Sequence, residues 1–549
     1  MNLFVSKLQS NWKSGVTVSL VSIPLSVSLA IAAGSTPVAG IITAIWAGFF
    51  AALFGGSNYN IVGPTGALSG ILATYAFLHG AQSLAILAIA AGIVVLISWA
   101  LKLERYLVFI PANTIQGFTL GVAFIIGMNQ MNFALGMPKL TGHEKFIDNI
   151  LESLTHLSLA SMEAFIVFIA FFVGIYFTER YRKNIPVLKN LPATALFAFI
   201  GIGVGYMASQ SIIPLHLQTL GTRYSDLSAQ LFMLPTFSVT FDRSFFIAVA
   251  TVSLIAIIET MLSARIADSM TKTKHNKRKE MLGLGIANIA SGIAGGIPAT
   301  AALARTSLNI KSGATDKMSG IINSVVIIVI SLFLLPYFKY IPMTVIAAIL
   351  VTVAVRMIEK EHLVRMFRID KKSFFIALFV AFITIYEDPI IGILVGAAIS
   401  LLLFLENLSH GQFEMVLNNS KKKMIGHVVG DTIKDVTKDS HTVVYSIKGH
   451  FTYIDSQAHI ARFDTTHTHH KNIILRLREL SFIDLDGVDA FEEIIEILER
   501  RGVNVLVSGP NEIILQMLSK SKRFMMLKKE KKVFTRTTDA LKSLGFVLK

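Results

Sequence analysis

From Gly15 to Ala100 the chain carries no Lys, Arg, Asp or Glu, and a run of that length has room for about four bilayer crossings at roughly 20 residues each. Soluble cores do not read this way, so the fold predicted is a polytopic α-helical membrane protein. The rest of the chain agrees. Of its 549 residues 53% are hydrophobic and 15% charged, where globular domains carry about 25% charged residues. Apolar spans are read at about 14–33, 37–54, 63–78, 82–101, 112–132, 160–178, 192–209, 244–264, 281–294, 298–311, 317–337, 341–355, 373–386 and 389–407. An amphipathic segment is read around His143 to Leu157.

The formal net charge of +15 does not point to nucleic acid, because the basic residues lie in loops between spans and in the C-terminal part. With a cytoplasmic N-terminus, inside loops hold Lys102 and Arg105, then Arg180, Arg182, Lys183 and Lys189, then Lys272, Lys274, Lys277, Arg278 and Lys279. Further inside loops hold Lys311 and Lys317, then Arg356, Lys360, Arg365, Arg368, Lys371 and Lys372. The opposite loops offer only Lys139, Lys145, Arg223, Arg243 and Lys339. That bias predicts a cytoplasmic (inner) membrane protein with both termini in the cytoplasm. No cleavable leader is read. With no cysteine, disulfides, thiol chemistry and cysteine metal sites are excluded.

The charges inside the spans are few and informative. Gly295 to Lys311 reads GGIPATAALARTSLNIK, and Arg305 is the sole charged side chain between Glu280 and Lys311. A charge at the centre of a membrane helix costs about 2.5 to 3.5 kcal/mol even on the lenient insertion scale, which points to an anionic partner. Gly295, Gly296 and Pro298 interrupt a helix, so an extended piece is predicted, with a short helix starting near Ala299. That start presents unpaired N–H groups and the positive end of a dipole. GGSNYNIVGPTGALS, from Gly55 to Ser69, has the same grammar. Paired interrupted segments of this kind mark a transporter's substrate site, with two half-helices facing each other at the bilayer midplane.

Around these segments, Thr65 and Ser69 are candidate hydroxyl donors to an oxyanion, and Gly63 and Gly66 permit close backbone approach. Ala304, Thr306 and Ser307 are lining candidates. Glu259 is the sole acid between Ser244 and Arg265; it would carry a proton, help bind Na⁺, or neutralise Arg305. Ser263 lies one turn on, on the same face. Asp268 falls on the opposite face and marks the cytoplasmic end of its helix, and Glu387 and Asp388 read as a solvated turn before Pro389.

After Glu406 the composition changes. HTVVYSIKG, NIILRLREL and VNVLVSG read as strands, and GVDAFEEIIEILER and NEIILQMLSK as helices, which makes a small α/β domain over 424–549. It follows a transmembrane domain, 1–410, and a linker, 411–423. His459, His467, His469 and His470 match no zinc framework and read as loop. With no P-loop and no catalytic grouping, neither an enzyme nor a cofactor is expected.

GPTGALSG at 63–70, IETMLSARIAD at 258–268, GGIPATAALARTSLNIKSGA at 295–314 and SFIDLDGVDAFEEI at 481–494 together resemble the SulP family of anion transporters over nearly the whole chain. The last of these resembles a STAS domain. The resemblance implies about fourteen membrane segments in two inverted seven-segment repeats. A core, segments 1–4 and 8–11, would carry substrate by an elevator movement against a gate, segments 5–7 and 12–14, in a homodimer.

The function implied is secondary active transport of a small anion such as sulfate, bicarbonate, a C4-dicarboxylate or chloride, coupled to H⁺ or Na⁺. The anion would lie between helix starts at Pro64, Thr65, Gly66 and Ala67 and at Ala299 to Ala304, with Arg305 and Thr306 beside it and Leu25 and Leu29 lining the cavity. Glu259 and Ser263 would couple the cation, and the STAS domain would meet a cytoplasmic partner of unknown identity. Asp484 and Asp486 stand where free-standing STAS proteins carry a phosphorylatable serine, which IDLDG lacks. Two rival readings are an uncoupled anion exchanger or channel, and a membrane-tethered anion-sensing regulator.

Overall fold

The structure is a computed structural model and describes residues 2–105, 111–138, 140, 143, 146–181, 192–224, 231–235, 241–387, 389–409, 412–419, 424–429, 440–465 and 470–546. Lys139, Lys145, Arg182, Lys183, Lys189, Asp388, His467 and His469 lie outside the described residues. The chain divides into two units, Met1–Ser400 and Leu401–Lys549.

The first half of the first unit runs through α1 (Asn2–Ala32), α2 (Pro37–Phe54), α3 (Gly66–His79), α4 (Ser83–Ala100) and α5 (Ala112–Met128). It continues with α6 (Met131–Ala134), α7 (Phe146–Thr155), α8 (Met162–Tyr181) and α9 (Ala193–Ser209). After α10 (Leu220–Arg223) come α11 (Arg243–Thr271), α12 (Lys277–Ile293), α13 (Leu303–Lys311), α14 (Met318–Phe338) and α15 (Met343–Met357). Helices α16 (Lys360–Ile369), α17 (Lys371–Tyr386) and α18 (Pro389–Ser409) follow. Two-residue strands, β1 (Val62–Gly63) and β2 (Thr300–Ala301), precede α3 and α13. Among the described residues six helices are long and apolar enough to cross a membrane: those over Val5–Ala32, Pro37–Phe54, Ser83–Ala100, Met162–Tyr181, Arg243–Thr271 and Met318–Phe338.

Local chemistry accounts for the helix ends. Thr36 caps α2 by accepting from the Ala39 N–H at 3.2 Å, and Pro37, which has no N–H to leave unpaired, takes the first helical position. Asp242 and Asn276 cap α11 and α12 in the same way. Helix α1 begins at Asn2 rather than near residue 14, because its first turns are polar and therefore invisible to an apolar count. Those turns are held instead by Lys7 on Asp316, at 2.7 Å, and by Asn11, which accepts from the Thr315 N–H at 2.8 Å.

The packing pairs repeat. Helix α1 packs on α3 and α14, as α11 packs on α13 and α4. Helix α2 packs on α14 as α12 does on α4, and α5 packs on α17 as α15 does on α8. Matching α1–α5, α8 and α9 to α11–α15, α17 and α18 maps each of these contacts onto its counterpart. The antiparallel pairing of β1 with β2, Val62 opposite Ala301 and Gly63 opposite Thr300, joins the two halves in the opposed sense of an inverted repeat.

The second unit contains a mixed sheet of β3 (Gln412–Asn419), β4 (Met424–Val429), β5 (Ser440–Phe451), β6 (Asn472–Arg476), β7 (Leu480–Ile483), β8 (Asn504–Ser508) and β9 (Val533–Phe534). The strand order is β4-β3-β5-β6-β8-β9, with β7 also paired to β5. Strands β5, β6, β8 and β9 are parallel, and β3 runs antiparallel to β5. Helices α19 (Ser456–Thr465), α20 (Leu485–Arg500), α21 (Glu512–Leu518), α22 (Lys522–Lys529) and α23 (Thr537–Ser543) complete it. Tyr445, Ile473 and Phe491 are buried in one apolar cluster, and Val444, Ile474 and Ala540 in another. A sheet covered on both faces explains strands that read as continuous apolar runs. Strand β3 falls in the range read as linker, 411–423, and its alternation buries Phe413 and Met415.

Candidate functional site

The extended piece before α13 is longer than expected. Rather than opening a helix near Ala299, the chain stays extended through Ala302, and α13 begins at Leu303. Asn288 of α12 causes this by acting as a surrogate strand partner. Its Nδ2 donates to the Ala299 carbonyl at 2.9 Å, and its Oδ1 accepts from the Ala299 N–H at 2.8 Å. Thr43 accepts from the Ile297 N–H at 2.7 Å and Thr260 from the Ala301 N–H at 3.1 Å. Non-helical backbone at membrane depth has to be satisfied from within the protein, and threonines and an asparagine on three flanking helices do so here.

Both helix starts lack a side-chain cap. Ala302 precedes α13 and has no hydroxyl to offer. Thr65 precedes α3, yet makes no capping bond; its hydroxyl is turned to α11, where it donates to Glu259 Oε2 at 3.0 Å. The first N–H groups of two helices that start beside a shared ladder are therefore left without the partner a cap would supply.

Arg305 lies on the first turn of α13 and is 1% exposed. Its Nη2 donates to the carbonyl of Pro64, across the ladder. A Cβ on Gly63 would sit 2.5 Å from Arg305 Nη1, so glycine is what lets the guanidinium lie against β1. Among the described residues Arg305 Nε and Nη1 have no hydrogen-bond partner. Arg305 and Glu259 lie within electrostatic reach of each other.

The other anticipated residues divide into groups. Ala67, Leu25 and Leu29 are buried, and Ala304 is exposed. Gly66 is a packing glycine, since a Cβ there would collide with Ile126 Cδ1. Ser69 donates to the Gly66 carbonyl within its own helix, and Ser307 lies 3.7 Å from Met270 Sδ. Ser263 and Thr306 are brought together: their hydroxyls are 3.0 Å apart, and Thr306 also accepts from the Ile61 N–H at 3.2 Å. Asp268 Oδ2 pairs with His275 Nδ1 at 2.7 Å and ties the turn after α11. A cavity of about 770 Å³ lies along the C-terminal part of α3, lined by Gly70, Ile71, Phe77, Gln130, Arg223 and Glu387 among others; Arg305 is not in its wall.

Inspection of the sequence misses Glu280, which is 4% exposed and enters there only as the charge that bounds the uncharged stretch before Arg305. It also misses Asn60 and Thr43, polar residues with partners far away in the chain, and Asn288, whose partner Ala299 lies across the turn after its own helix.

In the second unit His459 is a helix residue of the core, not a loop residue. It is fully buried, and its Nδ1 lies 2.7 Å from the Tyr445 hydroxyl. Burial pushes its imidazole down to about 3 and the neighbouring Tyr445 phenol up. His470 is also buried. Asp484 caps α20, accepting from the Gly487 N–H at 2.8 Å, while Asp486 is exposed. Among the described residues no group of three or more His, Cys, Asp or Glu is placed to hold a metal.

Comparison with known proteins bears on the family and the fold. Residues 8–380 match the sulfate permease family and residues 433–540 the STAS domain. The chain is 28% identical over 530 residues to the putative sulfate transporter YvdB of Bacillus subtilis, covering 96% of each chain. It is 28% identical over 422 residues to the bicarbonate transporter BicA of Picosynechococcus sp., covering 73% of this chain and 71% of that one. The transmembrane domain of a cyanobacterial bicarbonate transporter BicA superposes with a TM-score of 0.61 at 27% identity, covering 71% of this chain and 97% of that one. The overall structure of SLC26A9 superposes with a TM-score of 0.79 at 15% identity, covering 98% and 90%, a likeness of fold. The chain thus belongs to the sulfate permease family of membrane anion transporters and carries a STAS domain.

Proposed function

We propose that this chain moves a small oxyanion or carboxylate across the cytoplasmic membrane by secondary active transport, binding it between the starts of α3 and α13. One observation carries the reading. Among the described residues the buried guanidinium of Arg305 keeps Nε and Nη1 without a protein partner, beside two helix starts that no side chain caps. Desolvated donors of this kind are destabilising unless an anion takes them up. Arg305, Thr65, Gly66, Ala67, Ala304 and Thr306 form the binding region, with Leu25 and Leu29 as its apolar wall.

Uptake of an anion against an inside-negative potential of about 100 mV costs roughly 2.3 kcal/mol per net charge, so a coupling cation is needed for accumulation. Glu259 is the coupling residue, since its carboxylate takes the Thr65 hydroxyl at the anion's helix start. If the cation is Na⁺, Ser263 offers a second oxygen one turn on. Helices α1–α4 and α11–α14 act as the moving core and α5, α8, α9, α15, α17 and α18 as the gate of a homodimer, with both termini and the STAS domain cytoplasmic. The names of the relatives suggest sulfate and bicarbonate as the first substrates to try.

The test is uptake into proteoliposomes of sulfate, bicarbonate, succinate and chloride, with and without imposed H⁺ and Na⁺ gradients. Saturable uptake of one anion that rises with one cation gradient and falls in Arg305→Ala supports the reading. Uptake indifferent to every gradient replaces it with an uncoupled exchanger or channel. Binding without flux replaces it with an anion sensor.

A further inference from the structure

The Glu280 carboxylate accepts three hydrogen bonds, as many as any other acid described in the first unit, and nothing in the transport reading uses it. It sits in the first turn of α12 and is 4% exposed. Oε2 accepts from the N–H groups of Gly56 and Ser57, both at 2.6 Å, and Oε1 accepts from Asn60 Nδ2, also at 2.6 Å. The fit is tight: a Cβ on Gly56 would overlap the Asn276 carbonyl oxygen, and one on Gly55 would lie 3.0 Å from Glu280 Oε2.

A carboxylate accepts only, and that sets the direction of every hydrogen bond beyond it. Because Asn60 must present its NH₂ to Glu280, its Oδ1 must face the other way, where Ser263 Oγ lies 3.0 Å off. Ser263 then gives its single proton to Asn60, and the 3.0 Å contact to Thr306 is made by the Thr306 proton. Thr306 is left with lone pairs, which receive the Ile61 N–H. The chain of donors runs Thr306 to Ser263 to Asn60 to Glu280, with a side branch from Asn60 Nδ2 to the Thr260 carbonyl at 3.3 Å. Its ends flank the crossing: Asn60 and Ile61 lead into β1 and Gly63, and Thr306 follows Arg305.

We infer that Glu280 is a positioning residue for the anion site: through Asn60, Ser263 and Thr306 it fixes how β1 and Gly63 sit beneath Arg305. This rests on the transport reading for its functional consequence but not for its structural one. The hydrogen-bond chain has a property that ordinary packing lacks, which is that donor and acceptor can be exchanged at one link by near-isosteric substitutions. In Glu280→Gln the side-chain oxygen still takes the two loop N–H groups, but the new amide NH₂ then confronts the NH₂ of Asn60. In Asn60→Asp two carboxylates confront each other. In the double variant the new amide at position 280 donates to the new carboxylate at position 60, whose other oxygen still accepts from Ser263; the order along the chain is restored, and what stays lost is the Asn60 Nδ2 bond to the Thr260 carbonyl, 3.3 Å in the wild type.

The experiment uses the full chain in proteoliposomes, with initial uptake measured against concentration for whichever of sulfate, bicarbonate, succinate and chloride the wild type takes up saturably. Hydrogen exchange of the Ile61 amide is followed in parallel. Expected are a KM raised about tenfold in Glu280→Gln, equivalent to about 1.4 kcal/mol, and a larger rise in Asn60→Asp. Ile61 exchange should be faster in both, and the double variant should return KM and exchange to within about threefold of wild type. Wild-type KM and exchange in Glu280→Gln, or a double variant no better than its worse parent, overturns the inference. Should no anion be carried, the exchange measurement still decides it, so failure of the transport reading and failure of this one remain separate.

Discussion

The two half-helix arms share a backbone plan and differ in what they put on it. Each has an extended piece, a two-residue strand and an uncapped helix start. Aligned at their first helical residues, Gly66 with Leu303, the arms place Ala67 opposite Ala304, Leu68 opposite Arg305 and Ser69 opposite Thr306. Leu68 is fully buried and apolar, and Arg305 is as buried but charged. The repeat supplies two dipoles from one design, and a substitution at one of two equivalent positions supplies the charge. Symmetry built the frame, and its breaking made the site polar in one direction.

The comparison breaks most severely at Arg305. Arg305→Ala should leave two equivalent helix starts without a charge and raise KM for the anion roughly 10- to 150-fold, the range expected from losing about 1.5 to 3 kcal/mol of charged hydrogen bonding. Concentration-dependent uptake checks this; Arg305→Lys should recover only part, since an ammonium lacks the planar fork.

Next in size is Glu259→Gln, which keeps an acceptor for Thr65 and removes the ionisable group. For an H⁺-coupled carrier, a one-unit pH gradient supports about tenfold accumulation per coupled proton. That factor should fall to near unity while anion exchange across the membrane persists, measured as steady-state uptake against counterflow.

Gly63 and Thr300 face each other in the ladder and sharpen the contrast. Gly63→Ala pushes a methyl group into the guanidinium and should raise KM roughly tenfold, an overpacking effect within the usual range of about 1–3 kcal/mol. Thr300→Ala loses a hydroxyl that bonds Thr260 and the Ala256 carbonyl. It should reduce thermal stability by about 1 kcal/mol with little change in KM. The smallest effect is at the next matched pair. Among the described residues Ser69 bonds only within its own helix, so Ser69→Ala should change KM less than about twofold, whereas Thr306→Ala, which unties Ile61 and Ser263, should change it about fivefold.

How much of this is readable beforehand follows from the range of each interaction. The spans, the broken segments and the lone arginine are visible because hydropathy, Gly and Pro act on their own neighbours. Helix α2 begins and ends where its residues say, Pro37 and Phe54. The start of α13 is not legible, because Ala299 is held extended by Asn288, a preference that no local propensity encodes. The polar start of α1 escapes notice because it is fastened to Thr315 and Asp316, far away in the fold's second half. Glu280 is passed over for the same reason: its partners are Gly56, Ser57 and Asn60. Where a residue's meaning is set by long-range partners, a single sequence shows its type but not its task.

The ladder of β1 and β2 has one further consequence. Donors at the crossing that belong to the backbone are out of reach of ordinary mutation, since every residue but proline carries the same N–H. Under the proposed function, changes of substrate in this chain would be written in the few side chains around them, at Leu25, Leu29, Ala67 and Ala304, small or apolar positions where a single codon change alters size or polarity. On this view the chain pairs an immutable grip with an editable rim, and diversification of anion preference can proceed without ever rebuilding the grip.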